Sequence, residues 1–141
     1  MDLPRSTLLP ESGAQHYKTD RGEAWVWTPG RGLLVTRVIG QLSIAAATAV
    51  AASSRRIVAS EGGRVTALHD WEAMTDYESQ ARVILTDIGR DLHKQLEKVH
   101  ILLGSRIVTL AVQGASLVIP SIEVHGSRAT FEVALRRGMT S

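Results

Sequence analysis

The period of the apolar positions changes along the chain, and the changes mark its elements. Residues 24–28 alternate, with Trp25 and Trp27 on one side and Val26 on the other, which is the pattern of a half-buried strand. Leu33–Ile39 reads Leu-Leu-Val-Thr-Arg-Val-Ile, a β-branched run suited to a buried strand. Pro29-Gly30-Arg31-Gly32 supplies a turn between them, so the two segments form a hairpin. Gln15–Lys18 precedes it as a short edge strand, joined through the turn Asp20-Arg21-Gly22. Ser43 is placed to cap a helix over residues 44–60, whose alanines favour helix and allow close approach to a sheet. Glu61-Gly62-Gly63 ends it. A further strand over residues 64–69 places Val65, Ala67 and His69 on one face and Thr66 and Leu68 on the other.

Thr75-Asp76-Tyr77-Glu78 has the spacing of a capping box. From there Tyr77, Ala81, Ile84, Leu85, Ile88, Leu92, Leu96 and Val99 recur at helical spacing, which predicts an amphipathic helix of about six turns. Ser79, Arg82, Thr86, Arg90, His93, Lys94 and Glu97 take its polar face. Beyond it, His100–Leu103 predicts a short strand and Arg106–Val112 a stronger one. Residues 113–119 predict a short helix stopped by Pro120, and Ile122–His125 alternates like an edge strand. Ser127 caps a last helix, Arg128–Arg137. Alternation of strands and helices after an initial hairpin predicts an α/β fold: a mixed sheet, partly parallel, with helices packed mainly on one face. Residues 1–13 carry Pro4, Pro10 and Gly13 without periodicity and read as a flexible arm, leaving residues 14–141 as one domain.

Composition narrows the function classes. The 141 residues hold no cysteine, which excludes thiol catalysis, disulfides and thiolate metal sites. Sixteen Lys and Arg face fourteen Asp and Glu, a formal charge of +2. Arg55-Arg56 and Arg136-Arg137 are the only adjacent basic pairs, so no nucleic-acid partner is expected. The N-terminus lacks the pattern of a secretory signal, and no apolar run reaches the ~18 residues of a membrane span. A cytoplasmic location is therefore expected. No Gly-x-Ser-x-Gly elbow, Walker loop or Gly-x-Gly-x-x-Gly occurs, so no catalytic residue, no cofactor and no enzymatic activity are expected. No metal site is expected either. The histidines fall in different elements, His93 and Glu97 would make half a site at most, and the neighbours His69 and Asp70 point to opposite faces.

The element order, together with the stretch Val65-Thr66-Ala67-Leu68-His69-Asp70-Trp71-Glu72-Ala73-Met74-Thr75-Asp76-Tyr77-Glu78-Ser79, resembles the STAS/SpoIIAA-like superfamily over roughly residues 24–137. In the anti-sigma-factor antagonists of that family, a serine at the start of a helix is phosphorylated by a partner kinase. The resemblance places Asp70 and Glu78 on the family's two aspartate positions and Ser79 on the phospho-acceptor. Glu72 stands where the family commonly has a small hydroxyl residue, and no glycine follows Ser79. The resemblance implies a SpoIIAA/STAS-like fold and a non-catalytic regulatory module that contacts a protein partner through residues 70–79. The expected contact residues are Asp70, Trp71, Glu72, Thr75, Ser79 and Arg82, with Trp71 as a loop anchor. Exposed edge strands are compatible with a homodimer. Trp25 and Trp27 on one face suggest an oligomer contact or a surface for the N-terminal arm. The alternative reading is a carrier for a small apolar ligand or lipid, held between the helices and the sheet.

Overall fold

The computed structural model describes residues 14–119 and 121–140, so the expected arm at residues 1–13 lies outside the described residues. The strands are β1 (Gln15–Lys18), β2 (Gly22–Trp27), β3 (Leu33–Leu42), β4 (Val65–Trp71), β5 (Met74–Tyr77), β6 (Leu96–Leu103) and β7 (Ile122–His125). The helices are α1 (Ile44–Glu61), α2 (Ser79–Leu92), α3 (Arg106–Ser116) and α4 (Arg128–Thr140). The seven strands form one sheet in the order β1-β2-β3-β4-β6-β7, with β5 continuing along the edge of β3. β1, β2 and β3 pair antiparallel, and every pairing from β3 onward is parallel. This is the mixed sheet with an initial antiparallel hairpin that the hydrophobic pattern predicts.

Local chemistry accounts for the early elements. Thr19 closes the β1–β2 turn through its backbone N–H and its hydroxyl, both donating to the Gly22 carbonyl, at 2.9 and 3.2 Å. Ser43 caps α1, its Oγ accepting from Ala46 N at 3.0 Å, and Gly62 ends the helix in the left-handed region at φ +67°. The β3 ladder switches partners midway. Leu33–Arg37 pairs with β4, then a register shift at Gly40/Gln41 lets the end of the strand pair with β5. Gly40 has φ +77°, and a Cβ there would collide with the Arg21 carbonyl. Gly22 faces it across the ladder and has equally little room beside Gln41. Two glycines therefore allow the close backbone approach that bends β3.

Both faces of the sheet are covered. Val26, Leu34, Val38, Ala67, Val99 and Ile101 pack with buried residues of α1, α2 and α3. Trp27, Leu33, Val35, Leu68 and Leu102 pack on the other face with Phe131 and Leu135 of α4. The alanines Ala46, Ala47 and Ala51 are the buried small residues that let α1 lie close. Trp27 belongs to the α4 layer. Trp25 is half-buried, stacked on His16 at 4.7 Å with the Arg37 guanidinium 6.0 Å from its ring centre.

Four expectations are corrected. The long helix does not run from Tyr77 to Val99. Thr75 and Tyr77 lie in β5, α2 covers only Ser79–Leu92, and Leu96 and Val99 belong to β6. The same residues satisfy a helical period, but pairing with β4 along Val65–Trp71 is the stronger constraint. The capping box does not form either. Glu78 is the N-cap of α2 without a side-chain bond, and its Oε1 instead accepts from Ile44 N at 2.8 Å, capping α1. Arg106–Val112 is helical, not a strand: Val108 and Val112 are buried one turn apart while Ile107 and Leu110 are exposed. The short helix expected at residues 113–119 is the continuation of α3 to Ser116. No helix among the described residues is long and apolar enough to cross a membrane.

The bend in β3 gives a stability ordering. Gly40→Ala is expected to cost about 2 kcal/mol or more, because strain and a backbone collision add. Gly62→Ala, left-handed but in open space, is expected to cost about 1 kcal/mol. Urea denaturation midpoints of the two variants check the order.

Candidate functional site

Consecutive side chains at the end of β4 enter different layers. Ala67, His69 and Trp71 face the three-helix layer, and Leu68 and Asp70 face α4. Asp70 is buried and ion-paired with Arg128, the first residue of α4, whose Nη2 lies 3.1 and 3.2 Å from the two carboxylate oxygens. Nη2 also donates to Glu72 Oε1 at 2.7 Å, and Nη1 to the buried Glu132 at 3.3 Å. Burial alone would lower the Arg128 pKa. The hydrogen bonds the guanidinium donates to Glu72 and the charge of Asp70 outweigh it and hold the guanidinium above its ordinary range. This network fastens the exit of β4 to α4. Asp70 and Glu72, expected at a partner surface, are thus engaged within the chain.

Trp71 is corrected too. It is the last residue of β4 rather than a loop residue, and only 8% of it is exposed. Its indole N–H donates to Thr36 Oγ1 at 3.1 Å, and Thr36 Oγ1 lies 2.7 Å from His69 Nδ1. Trp71 can only donate, so Thr36 Oγ1 accepts from it and joins the indole to the His69 ring. His69 stacks on Trp71 at 4.8 Å. Burial, aided by the charge of His100, lowers the His69 pKa to about 4. The ring borders an apolar cavity of about 120 Å³ between the sheet and the helix layer. Leu34, Val50, Met74, Leu85, Val112 and Ile119 are among its walls, and Arg82 stands at its border.

The remaining expected residues lie where β5 passes into α2. Thr75 and Ser79 are exposed, Ser79 being the first helical residue of α2, and Arg82 is exposed one turn further along. The carbonyl of Thr75 accepts from Ser105 Oγ at 3.4 Å, which sets the start of α3 beside it. Thr75, Ser79 and Arg82 therefore share a surface region, whereas Asp70 and Trp71 lie on opposite faces of the sheet. The half-site of His93 and Glu97 does not assemble, since His93 caps α2 and Glu97 lies in β6.

A second cluster was not expected. His100 on β6 stands in register with Glu123 on β7, and His125 lies two residues beyond on the same face. His100 Nδ1 is 3.0 Å from His125 Nε2 and 3.0 Å from Glu123 Oε2, and the latter two are 3.6 Å apart. Burial, then the charge of His125, lowers the His100 pKa, while Glu123 opposes them. The sequence signal was the alternation of Glu123 and His125 along one strand. The missing information was which strand would lie beside it.

No family model and no curated protein matches the sequence. Solved structures do match. An uncharacterised protein from Shewanella loihica, described as having a SpoIIAA-like fold, superposes with a TM-score of 0.64 at 13% identity, covering 84% of this chain and 98% of that one. The anti-sigma factor antagonist SpoIIAA in its unphosphorylated form superposes with a TM-score of 0.63 at 16% identity over 81% of this chain and 97% of that one. The chain has a SpoIIAA-like fold. The Bacillus cell fate determinant SpoIIAA in its phosphorylated form gives 0.60 at 18% identity over 79% and 96%. Within the SpoIIAA-like fold of this chain, Thr75, Ser79 and Arg82 at the β5–α2 junction are exposed, whereas Asp70 and Trp71 are buried on partners that support the exit of β4.

Two stability predictions follow from that support. Arg128→Met strips the buried Asp70 of its ion-pair partner and is expected to cost about 3 kcal/mol, against less than about 1 kcal/mol for Glu72→Gln at the exposed arm. Urea unfolding of both variants checks this. His69 binds its proton more weakly in the folded state, so its contribution is full above pH ~6.5 and is lost as pH falls toward about 4. That loss is expected to reach about 3 kcal/mol. Denaturation of wild type and His69→Gln between those pH values measures it as the difference in slope.

Proposed function

We propose that the protein is a regulatory protein-interaction module, non-catalytic, whose contact surface is the β5–α2 junction with Thr75, Ser79 and Arg82. The observation that carries this reading is an exposed hydroxyl, Ser79, at the first position of α2, with the Arg82 cation one turn along the same side. A phosphate on Ser79 would meet free first-turn N–H groups and the positive end of the helix dipole, and Arg82 supplies a cation within one turn. The fold adds support, since two of the similar structures are an anti-sigma factor antagonist without and with phosphate. Ile107 and Leu110 of α3 add exposed apolar area near Thr75, which suits a protein partner. Asp70 and Trp71 serve this surface from beneath by fixing the strand that leads to it, and the exposed Glu72 completes the Arg128 network at its edge.

Native mass spectrometry of the protein purified from its own host tests the reading. The expected result is a phosphate increment localised to Ser79 and absent in Ser79→Ala. A protein partner held by wild type should be lost or weakened at least about tenfold in Arg82→Glu. Unmodified Ser79, with identical partner retention by wild type, Ser79→Asp and Arg82→Glu, would overturn it.

The cavity favours a second reading, a carrier for a small apolar ligand. Its walls are almost wholly apolar, and the neutral His69 ring stands among them. A mass increment lost on denaturation would support this reading, and Ala67→Leu, which fills the cavity from β4, is expected to abolish that increment.

A further inference from the structure

We propose that His100, Glu123 and His125 form a binding site for a divalent transition-metal ion of the zinc class. The site is independent of the β5–α2 surface and shares no residue with it. Parallel pairing of β6 and β7 places the three side chains on the α4 face of the sheet. Their ligand atoms form a triangle with sides of 3.0, 3.0 and 3.6 Å. The circle through these atoms has a radius of about 1.9 Å, just inside the ~2.1 Å bonds that zinc makes to imidazole nitrogen and carboxylate oxygen. An ion about 1 Å out of their plane therefore reaches all three atoms without moving a strand.

The protonation pattern suits a ligand set. In the ligand-competent tautomer, Thr130 Oγ1 donates its hydroxyl proton to the Ser127 carbonyl at 3.1 Å and accepts from His125 Nδ1 at 2.8 Å. Nδ1 of His125 thus carries the ring proton, and Nε2 presents a bare lone pair to the cluster. A histidine held this way through its second nitrogen is oriented as metal-ligating histidines are. Glu123 Oε2 is a second acceptor. His100 Nδ1 then holds the one proton between them, donating toward both. A cation takes the place of that shared proton, which moves to Nε2 of the same ring.

The setting is half-sheltered. The His100 and His125 side chains are 12% and 9% exposed and Glu123 is 49% exposed, so the two imidazoles are fixed while the carboxylate borders solvent. Three protein ligands leave at least one coordination position for water or an exogenous ligand. Glu97 and Lys98 of β6 and Arg137 of α4 border the same hollow, and His69 lies across the sheet. Two histidines with one carboxylate is a donor set that zinc and iron(II) accept, and calcium or magnesium, which want oxygen, do not.

The test is a titration of the untagged full chain with Co²⁺ at pH 7.5, read by visible d–d absorption, followed by displacement with Zn²⁺. The expected result is one equivalent bound with a dissociation constant below about 10 μM, displaced by Zn²⁺. Glu123→Ala, at a half-exposed position, and His100→Ala should each weaken binding at least about tenfold, while His16→Ala changes nothing. Far-UV circular dichroism establishes that each variant is folded. No absorption up to about 100 μM Co²⁺ would overturn the proposal. So would equal binding by wild type and a folded Glu123→Ala, which would place the ion elsewhere.

Discussion

The structure depends on β4 being buried on both faces. A strand in the middle of a covered sheet must satisfy two environments with alternating side chains. Here the alternation sends His69 and Trp71 toward the cavity and Leu68 and Asp70 toward α4. The polar residues among them are tolerated because each has a fixed partner: Thr36 for His69 and Trp71, Arg128 for Asp70. β4 thus aligns the helix layer, anchors the start of α4 and sets the direction in which the chain leaves for β5.

The chemistry of the molecule divides along the same plane. On one side lie an apolar cavity and the exposed start of α2; on the other, the imidazole–carboxylate cluster and the arginine network. His69 and His100 belong to different layers, yet the charge of His100 is felt at His69 through the sheet. A cation held at His100 would therefore raise the penalty for protonating His69.

Where local sequence determined structure, the chain was legible. The glycine-bearing turns, the Ser43 cap, the β-branched run of β3 and the alternation of β7 each predict their element. Legibility failed where two periods fit the same residues. Leu92, Leu96 and Val99 lie on one helical stripe, and only the neighbouring β4 decides that the last two are strand. Val108 and Val112 fit a β-branched strand until β6 occupies the sheet position. The candidate site was half legible for the same reason. Ser79 and Arg82 are exposed at the start of a helix, as read. The sequence reads Trp71 as a loop residue because nothing in it marks Asp70-Trp71 as the end of β4, and the Arg128 partner of Asp70 lies 58 residues away in the chain. The histidine cluster needed the β6–β7 register, a long-range fact.

The second face of the sheet rests on one helix. α4 is the last of the described elements, and Val35, Leu68 and Leu102 wait for its Phe131 and Leu135. During synthesis the chain emerges from its N-terminus, so the sheet can pair and its three-helix layer can dock while this second face is still bare. Any state in which α4 is undocked opens a strip of leucine and valine to solvent, including the surface that Asp70 shares. Burying that carboxylate before Arg128 arrives would leave it unpaired, which favours holding the exit of β4 loose until the end. The arginine network can hold the exit of β4 and the path to α2 only in states where the second layer is in place.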